Sequence, residues 1–401
     1  MKISLTLLTL SFSFVIFSQD WEEKASLPAA AIERHHPITF TIGGVAYLVT
    51  GAKPGAGVLK DFYSYDMDTD TWSTLPDFPG QARGFSYGVS TNEKGYLGFG
   101  LYENEDTFEY FSLNDFWSYE PISGEWTELT PCPCISRWHP AMVQVNNKIY
   151  VGLGGSEFGD LKDWWEYDIE TDTWTEKEEF PGTERHHPYY FGIGDDVYVG
   201  FGHHNSFIFN DFYRYNPATD SWTELGTFPE QGRVAGTQFS YDGKGYILSG
   251  QGETHTNLPT GEFWEYDPSD DSWTELLAHP GAGRWAPGSF VIDGFAFFTC
   301  GEANAGEQKD LISFALTPSA NIEEITSELE IYPNPTHGKI YFKSDEKWNN
   351  ATVEILDATG KLVDQTTILN QTINLEKLQK GVYLLRIKGN NTVRVERVTV
   401  H

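Results

Sequence analysis

Imidazoles gather in this chain where arginine recurs. The segments Glu33-Arg-His-His-Pro37, Ser136-Arg-Trp-His-Pro140 and Glu184-Arg-His-His-Pro188 carry His35, His36, Trp138, His139, His186 and His187. Gly283-Arg-Trp-Ala-Pro287 adds Trp285, and His203-His204 form a further pair. Neutral imidazole ligates transition metals and exchanges protons near neutral pH. Metal binding, acid–base catalysis and ligand hydrogen bonding are therefore the chemistries to weigh. Arg34, Arg83, Arg137, Arg185, Arg233 and Arg284 hold equivalent places in six such segments. An arginine fork suits carboxylates and sulfates, which makes Arg34, Arg137, Arg185 and Arg284 ligand candidates. A residue that recurs once per unit more often supports the scaffold, bonding loop carbonyls or neighbouring acids, than it binds a ligand.

The elements that position these residues are set by a repeat. Trp21, Trp72, Trp126, Trp174, Trp222 and Trp273 recur at intervals near 50 residues. In five units an acidic-aromatic strand, such as Asp163-Trp-Trp-Glu-Tyr167, ends in a Tyr seven residues before the Trp, with turn-forming residues between them. A Gly-ending apolar strand, such as Tyr150 to Gly154, precedes it. Each unit is thus four strands, and this grammar resembles the kelch motif at its Gly, Tyr and Trp landmarks. A four-stranded unit of about 50 residues implies a β-propeller blade. The last unit reaches Asp310-Leu-Ile-Ser-Phe314 without a Trp strand, while Asp20-Trp-Glu-Glu-Lys-Ala-Ser-Leu-Pro28 is an outer strand with no blade before it. The expectation is an all-β, six-bladed kelch-type β-propeller closed by the N-terminal strand, which removes exposed sheet edges.

Blades one and four match at their inner segments, two and five match in part, and three and six share Arg-Trp-x-Pro, so the ring reads as a duplicated three-blade half. His36 and His187 then belong to opposed blades, which argues against their sharing one ion, whereas His139, His187 and His203 come from adjacent blades. The favoured expectation is a polar and aromatic ligand floor without metal or other cofactor. Its densest part lies between blades three and four, where Arg137, Trp138 and His139 meet Arg185, His186, His187, His203 and His204. Two longer loops, Gly100 to Asn114 and Gln251 to Gly261, are alternative binding elements.

The ends of the chain address a compartment. Residues 1–18 combine Lys2 with an apolar stretch and read as a signal peptide. No other segment approaches transmembrane length, so no transmembrane anchor is expected. The propeller is assigned to 19–316 and a polar linker to 317–328. Residues 329–401 change grammar to short alternating strands, which predict a small antiparallel β-sandwich of seven strands. Tyr332-Pro-Asn-Pro335, Asp357-Ala-Thr-Gly-Lys361 and Lys380-Gly-Val-Tyr-Leu384 resemble the type A C-terminal sorting domain of the type IX (Por) secretion system. The resemblance implies export across the outer membrane of a Gram-negative bacterium, with the secretion machinery as a partner. Cys132, Cys134 and Cys300 are too few for a disulfide scaffold. Cys132 and Cys134 are left as free thiols or a local pair.

Charge excludes one class of partner. The chain carries a net charge of −31, and nucleic-acid binding draws its affinity from a basic footprint. Asp66-Met-Asp-Thr-Asp70 starts like a calcium loop but lacks the required Gly, and no nucleophile elbow is present. Three functions remain. One is a secreted or cell-surface binder of a glycan or other anionic molecule. Another is an enzyme: the six-blade secreted ring and Gly301-Glu-Ala-Asn-Ala-Gly306 are similar to N-acetylneuraminate epimerases. That resemblance implies Glu302, His139 or His187 as the proton-transfer group and an arginine as holder of the carboxylate. Kelch-bearing galactose oxidases match less well, because Cys300 lies within an apparent strand. The third is a protein-interaction module.

Overall fold

The computed structural model describes residues 20–104, 106–316, 330–343, 351–357, 361–388 and 393–401. The expected leader and linker lie outside these residues. Two compact units are present, Met1–Ser319 and Ala320–His401.

The first unit holds six four-stranded antiparallel sheets, and no α-helix occurs among the described residues. Blade three shows the pattern: Ala141–Val145, Lys148–Gly152, Trp164–Asp168 and Thr173–Lys177 pair in chain order. Its strands form because apolar and β-branched residues alternate or run together, and its outer hairpin turns through Asp172 at φ 52. The seven-residue Tyr-to-Trp spacing becomes a cross-strand ring pair in five blades, with centroids 4.9–5.0 Å apart. In the sixth sheet the outer strand is Glu22–Lys24, paired antiparallel with Leu311–Ala315. Trp21 beside it lies among Phe263, Phe298 and Phe314.

Neighbouring blades are tied at the glycines. The amides of Gly51, Gly100, Gly154, Gly202 and Gly250 each donate to the carbonyl of the next blade's recurrent arginine, and Gly301 donates to Arg34. The sixth blade is joined to the first by the same bond as every other pair. Gly301 shows why glycine is required: its φ is +82, and a Cβ would lie 2.9 Å from Pro287 atoms.

The second unit places Glu330–Tyr332, Lys339–Lys343 and Thr372–Asn374 in one sheet. Leu362–Thr367, Thr352–Leu356, Gly381–Lys388 and Val393–Val400 form another. Both sheets contribute to one core, which includes Ile340, Phe342, Ile373, Val353, Leu385 and Ile387. Cys132 and Cys134 form a disulfide, and Cys300 is a buried free thiol.

Candidate functional site

Each innermost strand is entered by three residues with distinct tasks. The first is the recurrent arginine. The second makes a bridge to the loop after its own blade's second strand: His35 to Ala52, Gly84 to Leu101, Trp138 to Gly155, His186 to His203 and Trp285 to Glu302. The third adopts a left-handed backbone: His36, Phe85, His139, His187, Ala235 and Ala286 all have φ between 48 and 58. Amide-to-carbonyl bonds from His139 to Phe85, His187 to His139, Ala286 to Ala235 and His36 to Ala286 join these third residues across blades. Four of the six therefore supply aromatic rings to one spot.

The arginines named as ligand candidates are turned to acids of their own blades, the scaffold arrangement that their recurrence favoured. Arg34, Arg137 and Arg185 are fully buried, and Arg284 is 8% exposed. They grip Asp61, Asp163, Asp211 and Asp310 through both terminal nitrogens at 2.5–2.9 Å. Each also donates to a backbone carbonyl 16 residues onward. Arg83 does the same with Asp115, and Arg233 pairs with Glu262 at 2.8 Å. A guanidinium held by two carboxylate bonds and a carbonyl has few donors left at Arg34, Arg83, Arg137, Arg185 and Arg284, whereas buried Arg233 is held by its acid alone.

The histidines do converge. His36 and His187, expected to lie apart on opposed blades, have their Nε2 atoms 2.9 Å from each other. The φ of about 50 at both turns the side chains inward across a narrow axis. His35 Nδ1 lies 2.7 Å from His36 Nδ1. The His139 ring stacks on His187 with centroids 3.3 Å apart, and His186 lies 3.9 Å from His203. Trp285 joins the group at 4.6 Å from both His35 and His36. Trp138 instead packs over Gly155.

Two residues that the repeat did not single out complete the cluster. Asp160 sits opposite Gly155 in the short hairpin of blade three. Its Oδ1 accepts from His186 Nδ1 at 2.7 Å, and its Oδ2 from His204 Nδ1 at 2.9 Å. His255, from the longer loop of blade five, brings Nε2 to 3.2 Å from His203 Nδ1. Hairpin register was the available signal for Asp160. The loop's length pointed toward His255 without identifying it. Eight of the chain's 11 histidines thus form one run of contacts from His35 to His255.

Burial keeps most of this run neutral. It drives His36, His139 and His187 well below the ordinary histidine value, and neighbouring imidazoles add to the effect. His35 and His203 are held down to about 4, again chiefly by burial. For Asp160, burial opposes ionisation, but the bonds from His186 and His204 outweigh it and keep the carboxyl below its usual range. Both His139 nitrogens are buried without a hydrogen-bond partner. Glu302 is raised by burial and by Glu307 beside it.

Beside the imidazoles, a groove of about 640 Å³ opens between blades one and two, lined by His35, Lys53, Phe85, Glu103, Phe108 and Tyr110. Phe108 is 74% exposed at the tip of the longer loop. The innermost strands enclose a separate channel cavity of about 500 Å³, lined in part by Tyr87, Gln144, Tyr190 and Gln238.

Comparison with known proteins agrees with this architecture. Residues 113–233 match the KLHDC2/KLHL20/DRC7 kelch-repeats domain, and residues 330–401 match the secretion system C-terminal sorting domain. The chain is a kelch-repeat propeller with a Por-type sorting domain. The Kelch-like protein terF of Aspergillus terreus is 30% identical over 148 residues, which cover 35% of this chain and 30% of that protein. The solved structure of YjhT superposes with a TM-score of 0.61 at 16% identity, covering 71% of this chain and 95% of that one. That likeness carries the fold alone. The sorting domain marks the kelch propeller for secretion or surface display through the type IX secretion system. No helix among the described residues is long and apolar enough to cross a membrane.

Chemically, the propeller's mouth offers neutral imidazoles, one oriented carboxylate and aromatic faces. It offers no free guanidinium from the recurrent set.

Proposed function

We propose that the protein is an exported binding propeller that takes an extracellular glycan at its channel mouth, reached after residues 1–18 act as a signal peptide. The observation that carries this reading is the convergence of eight histidines and Trp285 where the repeat is otherwise free to vary. Exposed Phe108 and Tyr110 beside the cluster supply faces on which a sugar ring stacks, while imidazoles and Asp160 supply hydrogen bonds to hydroxyls. The expected anionic ligand is less well served, because the arginines are committed to their acids. The same fact weakens the epimerase reading, which needs an arginine for the substrate carboxylate.

The test is a glycan array on the purified chain, followed by titration of the best sugar into Phe108→Ala, Tyr110→Ala and His203→Ala. Loss of a stacking face worth about 1.4 kcal/mol weakens binding about tenfold. Absence of saturable sugar binding, or unchanged affinity in all three variants, overturns the proposal.

A further inference from the structure

His186, His187 and His203 share a feature that simple crowding does not require. One ligand atom from each lies within 4.8 Å of the others. Each ring also has one nitrogen engaged by a partner outside the trio. His186 Nδ1 meets Asp160, His187 Nε2 meets His36 Nε2, and His203 Nδ1 faces the Asn205 carbonyl at 3.3 Å and His255 Nε2 at 3.2 Å. The opposite nitrogen of each has no hydrogen bond among the described residues. Anchoring one imidazole nitrogen fixes the tautomer and frees the other lone pair, as histidines that ligate metals require.

The proton arrangement permits this at all three positions. An ionised Asp160 accepts Nδ1–H from His186, which leaves Nε2 unprotonated. The Asn205 carbonyl accepts Nδ1–H from His203 with the same result. In the buried run His35–His36–His187, each neutral ring carries one proton. When His187 donates through Nε2 to His36, and His36 donates through Nδ1 to His35, the His187 Nδ1 lone pair is free.

We propose that His186, His187 and His203 form a three-imidazole site for one divalent transition-metal ion at the mouth of the propeller. Asp160 orients His186 and supplies a compensating negative charge. Three nitrogen donors suit zinc or copper rather than calcium or magnesium, which prefer oxygen. His186 and His203 are partly exposed, so the ion has a path from solvent and an open position toward it. The inference deepens the mouth-binding reading: an ion held there would present a Lewis-acidic point to an oxygen of the bound ligand.

The test uses the full chain, stripped with a chelator and titrated with Zn²⁺ against a chromophoric competitor, and with Cu²⁺ followed by electron paramagnetic resonance. One equivalent should bind, and the copper spectrum should show nitrogen splitting from three imidazoles. His203→Ala and His186→Ala should each weaken binding by at least about tenfold. Asp160→Asn should weaken it about 10- to 100-fold while retaining the nitrogen splitting. His337→Ala, in the sorting domain, should change nothing. Binding that is absent, that persists in both His186→Ala and His203→Ala, or that is lost with His337→Ala overturns the site. If one variant fails to fold, the wild-type spectrum and the other variant still decide. Metal titration and the glycan array are separate measurements, so the ion and the glycan reading fail separately.

Discussion

Arginine and histidine recur in the same short segments, yet the fold sends them to opposite tasks. Recurrence was legible in the sequence, but the direction of each side chain was not. The guanidinium reaches back to an Asp 26 or 27 residues onward in four blades, a pairing that only strand register creates. The histidines, in contrast, vary from blade to blade, and that variation marked a set of residues that the fold brings into contact. Arg137→Ala should therefore read as a folding defect. It leaves Asp163 beside a buried hole and should cost about 3 kcal/mol in urea denaturation. Sugar affinity of the folded fraction should not change; a large affinity loss at full stability would return the arginine to the binding site. His279 gives a second measurement. It is 2% exposed, bonded to Pro280 and Ser249, and held down to about 4 by burial. Because the unfolded chain takes up this proton first, the neutral ring's contribution is complete above about 6.5. It declines as pH falls toward 4, by up to about 1.4 kcal/mol per pH unit. His279→Asn should flatten the stability–pH slope in that window by one proton, and an unchanged slope would refute the assignment.

At the scale of the element, the outer hairpin stitches blades one, three, four and five to the blade before each. Tyr167 donates to Asp172 at 2.7 Å, Asp172 accepts the Thr130 amide and hydroxyl, and Trp174 donates to the Thr130 carbonyl. Blades one and four repeat the arrangement through Asp70 with Ala25 and Asp220 with Glu178. The Tyr-to-Trp spacing made the hairpin legible; the stitching was hidden, because it joins residues more than 40 positions apart. Blade two departs from it. Gly124 stands where the Asp would be, and Pro76, at the position corresponding to Thr130, has no amide hydrogen to offer. Donor and acceptor are missing together, and the Trp126 Nε1 is buried without a partner. Tyr167→Phe should thus destabilise the propeller by about 1 kcal/mol, while Tyr119→Phe should be nearly neutral. Equal losses by thermal or chemical denaturation would show that the Asp contact carries no weight.

Taken as a whole, the molecule divides its labour between two units with separate cores. The propeller's six-fold count and the seven short strands of the tail were both legible, since each rests on regular spacing and turn residues. The ligand was not, because a mouth is assembled from six distant segments whose mutual distances no single stretch encodes. The outer strand Glu22–Lys24 pairs with the last strand of the sixth sheet, so removing residues 20–28 should leave Leu311–Ala315 with an open edge. Aggregation or a marked fall in stability is expected, and a stable monomer would contradict it. Removing residues 320–401 should act differently. The propeller's sheets, its arginine–acid pairs and its blade-to-blade glycine bonds all lie before residue 317, so the truncated chain should unfold at the same temperature as the propeller transition of the full chain. Its location should change instead: without the sorting domain it should accumulate in the periplasm. Fractionation and surface proteolysis of cells expressing both forms decide this, and undiminished display or release of the truncated chain would show that the tail is not its export signal.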